Sequence, residues 1–89
     1  MKEPYLEMTF RQGKALAAYY YLPRQPGEKS VRCQRADPGL VIDFNRAGRP
    51  IGIEITAPGK VTLTDLNQVL NDLGLPHITP SDFAPLQAA

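Results

Sequence analysis

The feature that most narrows the fold is a pair of alternating apolar segments set on either side of a tight turn. Leu40–Asn45 and Ile51–Ala57 carry large apolar side chains at every second position, with Asn45-Arg46-Ala47-Gly48 between them. A period of two marks a strand with one buried face. The turn sequence suits a type I turn that closes with glycine in the left-handed region. The two segments therefore read as a β-hairpin. The pattern sets Leu40, Ile42 and Phe44 beside Ile51, Ile53 and Ile55 on the core face. A bulge at Gly48 would shift the register by one and bring Asp43 opposite Ile51. Sequence leaves both registers open.

The same period runs upstream. Leu6, Met8 and Phe10 alternate with Glu7 and Thr9, and Gln12-Gly13 turns the chain into Lys14–Leu22. There Leu16, Ala18, Tyr20 and Leu22 share one face while Tyr19 and Tyr21 take the other. Pro23 and Pro26-Gly27 break that strand. Glu28–Arg35 reads as a further strand with Val31 and Cys33 toward the core and Arg32 and Gln34 outward, before Asp37-Pro38-Gly39 turns the chain again. Pro58-Gly59 ends the sheet, and the period then changes. Thr62, with Asp65 three residues on, has the spacing of a capping box. Leu66, Val69, Leu70 and Leu73 form an apolar stripe at helical spacing, closed by Gly74. A helix of roughly ten residues is marginal alone and must pack on the sheet.

The expected fold is thus α+β: an antiparallel sheet of four to five strands, one amphipathic helix on one face, and a Pro-rich C-terminal tail. Residues 1–74 form the expected single domain and residues 75–89 the tail, which holds Pro76, Pro80 and Pro85. Thr79-Pro80-Ser81-Asp82 suits the start of one more helical turn. Whether the tail packs in cis or on a partner is open at this level.

Composition bounds the function. A chain of 89 residues makes one domain, and its 43% hydrophobic content is too high for a disordered one. Cys33 is the sole cysteine, so neither an internal disulfide nor a thiolate metal cluster is expected. No stretch approaches the roughly 18 apolar residues of a membrane span, and Met1-Lys2-Glu3-Pro4 lacks the apolar run of a signal peptide. A cytoplasmic location follows as the expectation. The net charge of +1 is unevenly placed: residues 1–35 carry seven Lys/Arg against three Asp/Glu, and residues 36–89 three against six. Folding mixes these halves in a compact sheet.

Two segments carry a resemblance: Ala17-Ala18-Tyr19-Tyr20-Tyr21-Leu22, and Gly39-Leu40-Val41-Ile42-Asp43-Phe44-Asn45 running on through Gly48-Arg49-Pro50-Ile51-Gly52-Ile53-Glu54-Ile55. Over residues 6–58 the chain resembles the family catalogued as domain of unknown function 2283. It departs where Leu16 stands before the Ala-Ala pair, a place the family usually gives to an acidic residue. The resemblance implies a compact β-rich fold and a bacterial origin, and it implies no established activity. Some members look like partners of small toxin-like proteins.

Candidate chemistry is sparse. Asp43 and Glu54 are the carboxylates within the matching hairpin and form the candidate polar site, as an acid–base couple or cation site; the opposing reading pairs each with a turn or with Arg32, Arg46 or Arg49. His77 has no sequence-near ligand or base partner, and Cys33 reads as core packing. Arg24, Lys29, Arg32 and Arg35 beside Tyr19 and Tyr21 suggest stacking and phosphate contacts with single-stranded nucleic acid, but a net charge of +1 is low for such a binder. No catalytic residue, cofactor or metal site is read. Tyr19, Tyr21 and Arg32 form the candidate interface, since tyrosine and arginine are enriched at protein contacts. The functional expectation is a non-enzymatic protein-binding or regulatory module, a homodimer or the partner of a toxin-like protein. The alternatives are a small enzyme or ligand-binding subunit whose site forms at an oligomer interface, using Asp43, Glu54 and Tyr19, and nucleic-acid binding through the basic N-terminal half.

Overall fold

A computed structural model of the chain describes residues 3–87. Its centre is a five-stranded antiparallel sheet built from β1 (Tyr5–Arg11), β2 (Lys14–Tyr21), β3 (Arg32–Ala36), β4 (Leu40–Phe44) and β5 (Pro50–Ile55), in the order β1-β2-β5-β4-β3. A hairpin (β1–β2) and a meander (β3–β4–β5) are joined where β2 pairs with β5 over Ala18–Tyr21. After a 3₁₀ turn at Pro58–Lys60 come two helices, α1 (Leu63–Asp72) and α2 (Pro80–Gln87).

The β4–β5 hairpin forms as its chemistry dictates. The Asn45 carbonyl accepts from Gly48 N–H and its side-chain Oδ1 from Arg49 N–H, with Gly48 at φ +82°. Leu40 faces Ile55 and Ile42 faces Ile53, the in-phase register of the apolar pattern. Phe44 then faces Pro50, so Ile51 is the extra residue of a bulge, and Asp43 lies opposite Gly52 rather than Ile51.

Helix α1 starts on the full capping box, with Thr62 Oγ1 accepting from Asp65 N–H and the Asp65 carboxylate from Thr62 N–H. It ends in a Schellman arrangement, in which Leu75 N–H reaches the Leu70 carbonyl and Gly74 N–H that of Asn71. Leu66, Val69 and Leu70 enter the core beside Tyr20, Ile42 and Ile53, with Leu73 packed at its margin.

The C-terminal tail, whose packing the sequence leaves open, folds back on the sheet. Ile78, Phe83 and Leu86 are buried in the same core, so residues 75–87 close the domain in cis and on the helix side of the sheet. Asn67 of α1 anchors this return, its amide donating to the Ile78 carbonyl and accepting from the Ile78 N–H. Thr79 caps α2 through Asp82 N–H, with Pro80 at its first position.

Two strand phases also differ from the sequence pattern. Leu16 and Phe10, both expected on the core face, are exposed. The β1–β2 ladder slips after Thr9, and β2 pairs with β5 only from Ala18 onward, so the hairpin end stands beyond the covered sheet. In β3, Arg32, Gln34 and Ala36 pair with the core-facing Phe44, Ile42 and Leu40, while Cys33 and Arg35 pair with Asp43 and Val41. The strand's faces are thus the reverse of those expected: Cys33 and Val31 are exposed, and the Arg32 guanidinium lies 4.0 Å from the centre of the Phe44 ring on the core side.

Candidate functional site

Both helices cover one face of the sheet; no helix covers the other, which the β2–β3 loop reaches in part through Ser30 on Asp43 and Arg24 over the Tyr21 ring. The open face is built in rows across the strands, because cross-strand partners in an antiparallel sheet point the same way. One row is Tyr5, Tyr21, Gly52, Asp43 and Cys33; the next is Glu7, Tyr19, Glu54, Val41 and Arg35. Tyr19 and Tyr21 of the candidate interface therefore share this face, as strand alternation predicts. Arg32 does not join them, since β3 turns it toward Phe44.

The polar centre of the face is Asp43. It accepts from three segments: the Tyr19 hydroxyl of β2 at 2.6 Å, the Cys33 Sγ of β3 at 2.9 Å and Ser30 Oγ of the β2–β3 loop at 3.0 Å. Tyr19 reaches it by laying its ring across β5 at Gly52, where any Cβ would overlap the phenol. This explains the glycine: Gly52 is a slot for Tyr19, kept by space rather than by backbone conformation. Sequence reasoning groups Asp43 and Tyr19, with Glu54, only as a site formed at an oligomer interface, not as a bond within one chain. Their joining across an intervening strand, and the part of Ser30, are tertiary facts with no local signal.

The electrostatics follow from this geometry. Burial pushes the Asp43 carboxyl up, but donations from Cys33, Tyr19 and Ser30, with Arg24 nearby, outweigh it and hold Asp43 below its ordinary value. Burial and then the bond to Asp43 push the Tyr19 phenol well above its usual range. The bond to Asp43 raises the Cys33 thiol, against the opposing effect of Ser30. Cys33 is therefore held as a protonated donor, the opposite of an activated thiolate. Glu54 sits one row away, facing Val41 and Tyr19, and makes no hydrogen bond to Asp43. The candidate carboxylate couple is not assembled as a pair. Among the described residues no cluster of three His, Cys, Asp or Glu is placed to hold a metal ion.

Beside Asp43 runs an aromatic ladder. Tyr5 and Tyr21 stack at 4.6 Å, Tyr19 meets Tyr21 edge-on at 4.6 Å, and the Arg24 guanidinium lies 5.1 Å from the Tyr21 ring centre. Tyr21 also donates weakly to Glu7 at 3.3 Å. The β2–β3 loop borders the face and is tied down by Glu28, which pairs with Arg49 at 2.5 Å and accepts from Asn45. A cleft of about 330 Å³ is lined by Tyr5, Tyr21, Pro26 and Glu28; neither Asp43 nor Glu54 lines it. His77 lies on the helix side, by Asn67 and Asn71. The basic residues do not form one stripe: Arg24 is on Tyr21, Arg32 on the far side and Arg35 at the opposite end of the open face.

The fold and this face define a small α+β domain with a sheet covered on one side only. Residues 17–57 match the model of a family described as protein of unknown function (DUF2283), so the resemblance read in the two motifs holds from β2 to the end of β5. The match contains Tyr19, Cys33, Asp43 and Gly52, and leaves out β1 and both helices. No curated protein and no solved structure matches the chain. No helix of the described residues is long and apolar enough to cross a membrane.

Proposed function

We propose that this protein is a non-enzymatic interaction module that binds a protein partner through the open face of its sheet. The observation that carries this reading is the contrast between the two faces. One is sealed by α1 and α2, while the other presents Tyr5, Tyr19, Tyr21 and Val41 with a charged surround. Tyrosine supplies large contact area at little conformational cost, and such anchors dominate protein interfaces. The polar groups there favour binding over chemistry. Asp43 is committed to three donors from its own chain, and Cys33 and Tyr19 are both held protonated. They tie β2, β4, β3 and the β2–β3 loop into a rigid platform, which suits an interface that is formed before the partner arrives.

The test is affinity isolation with the wild-type protein and a Tyr5→Ser, Tyr21→Ser variant in parallel, each checked for an unchanged thermal melt. The reading expects bound protein, whether further copies of this chain or a foreign protein such as a toxin-like one, to be held by the wild type and lost from the variant. Equal retention by both would overturn it.

A further inference from the structure

Resting on that reading, we propose that the partner is a second copy of this chain, stacked open face to open face about a two-fold axis close to the direction of β5. The argument is the order of residues along the two rows. A two-fold axis along the central strand lays β1 of one copy over β3 of the other, β2 over β4, and β5 over β5. The row Glu7, Tyr19, Glu54, Val41, Arg35 then meets its own reverse. Glu7 faces Arg35 of the second copy, Tyr19 faces Val41, and each of these contacts occurs twice. In the neighbouring row Tyr21 comes over Asp43, and the Tyr19 rings that lie across Gly52 of each copy come together near the axis. Apart from Glu54 at its centre, the row is thus complementary to itself in charge and in apolar content. Among the described residues Glu7 and Arg35 are both exposed and neither sits in an ion pair within the chain.

The fit survives real geometry. Aligned sheets pack about 10 Å apart and about 30° off parallel. At two strand spacings from the axis that rotation displaces the Glu7 and Arg35 positions by about 5 Å, within reach of two long side chains. Five strands at about 4.8 Å and some five to seven residues at about 3.4 Å give a face of roughly 400–600 Å² per copy. The total, about 800–1,200 Å², lies below the standard size of stable interfaces and in the range of weak, transient ones, so the dimer is reversible. Its weak point is also specific: Glu54 meets Glu54 at the axis, a like-charge contact that opposes association.

Sedimentation velocity from about 10 μM to about 1 mM, the range in which an interface below standard size is filled, tests the arrangement. The wild type is expected to pass from monomer to dimer. Glu7→Lys and Arg35→Glu, each on the surface and each verified as folded by its melt, are expected to weaken the dimer about tenfold, because the symmetry repeats every change. Mixing the two variants is expected to restore association. In the mixed dimer the lysine introduced by Glu7→Lys meets the glutamate introduced by Arg35→Glu, and the unchanged Arg35 of the first variant meets the unchanged Glu7 of the second. Glu54→Gln is expected to tighten the wild-type dimer several-fold. A wild type that stays monomeric at about 1 mM would overturn the second-copy proposal, and so would a mixture no stronger than its components. Neither result would touch the open face as a site for a foreign protein, which stands or falls on the Tyr5, Tyr21 comparison.

Discussion

At the residue scale the molecule turns on Asp43 and Gly52. Asp43 draws donors from β2, β3 and the β2–β3 loop, so its carboxylate is more acidic in the folded chain than in the unfolded one. A carboxyl whose folded pKa is depressed contributes stability that is present above its unfolded value, near 4, and is lost as pH falls through the lower folded value. Asp43→Asn is therefore expected to destabilise the protein at neutral pH, with the difference from wild type shrinking below about pH 4; urea melts from about pH 7 to about pH 2.5 read this directly. A gap that stays constant with pH would mean that the Asp43 charge contributes nothing. Gly52→Ala is expected to cost about 1–3 kcal/mol, because the new methyl and the Tyr19 ring claim the same space. The same change in a Tyr19→Ser background is expected to cost much less, and additive effects in this cycle would contradict the slot.

At the element scale, what could be read in advance was what local chemistry decides. The β4–β5 hairpin, the left-handed Gly48, the Thr62–Asp65 capping box and the stripe of α1 were all legible, since each is settled by a few neighbouring residues. The phase of β3 was not. Its sequence Arg-Cys-Gln-Arg-Ala has no apolar alternation, and as an edge strand its facing is imposed by β4 through the pairing of Arg32 with Phe44 and Ala36 with Leu40. The start of α2 was legible in Thr79-Pro80-Ser81-Asp82, but its place in the core was hidden for a related reason. Its apolar residues lie among prolines in a segment with little amphipathic contrast, and Phe83 and Leu86 acquire meaning only when the Asn67–Ile78 bonds fold the tail back. Tyr19 and Tyr21 were legible as an outward pair, whereas the bridge from Tyr19 to Asp43 spans an intervening strand that no local period encodes. Helix α1 supplies the check at this scale. Leu70 is fully buried, so Leu70→Ala is expected to cost about 2–5 kcal/mol in a denaturant melt. A loss below about 0.5 kcal/mol, the level of a surface substitution, would mean that α1 is not docked on the sheet.

For the whole molecule, the central proposal rests on the asymmetry between the two faces: one face is the core, and the other is the surface proposed to bind a second copy of the chain. Hydroxyl-radical footprinting of the wild-type protein at low and high concentration measures it side chain by side chain. Phe10 and Leu16 serve as internal controls, being more than half exposed at the hairpin end, away from the open face. The account predicts that Tyr5, Tyr21 and Cys33 become protected as concentration rises while Phe10 and Leu16 are oxidised equally throughout. Protection confined to Phe10 and Leu16, or none at any of these residues up to about 1 mM, would contradict self-association through the open face.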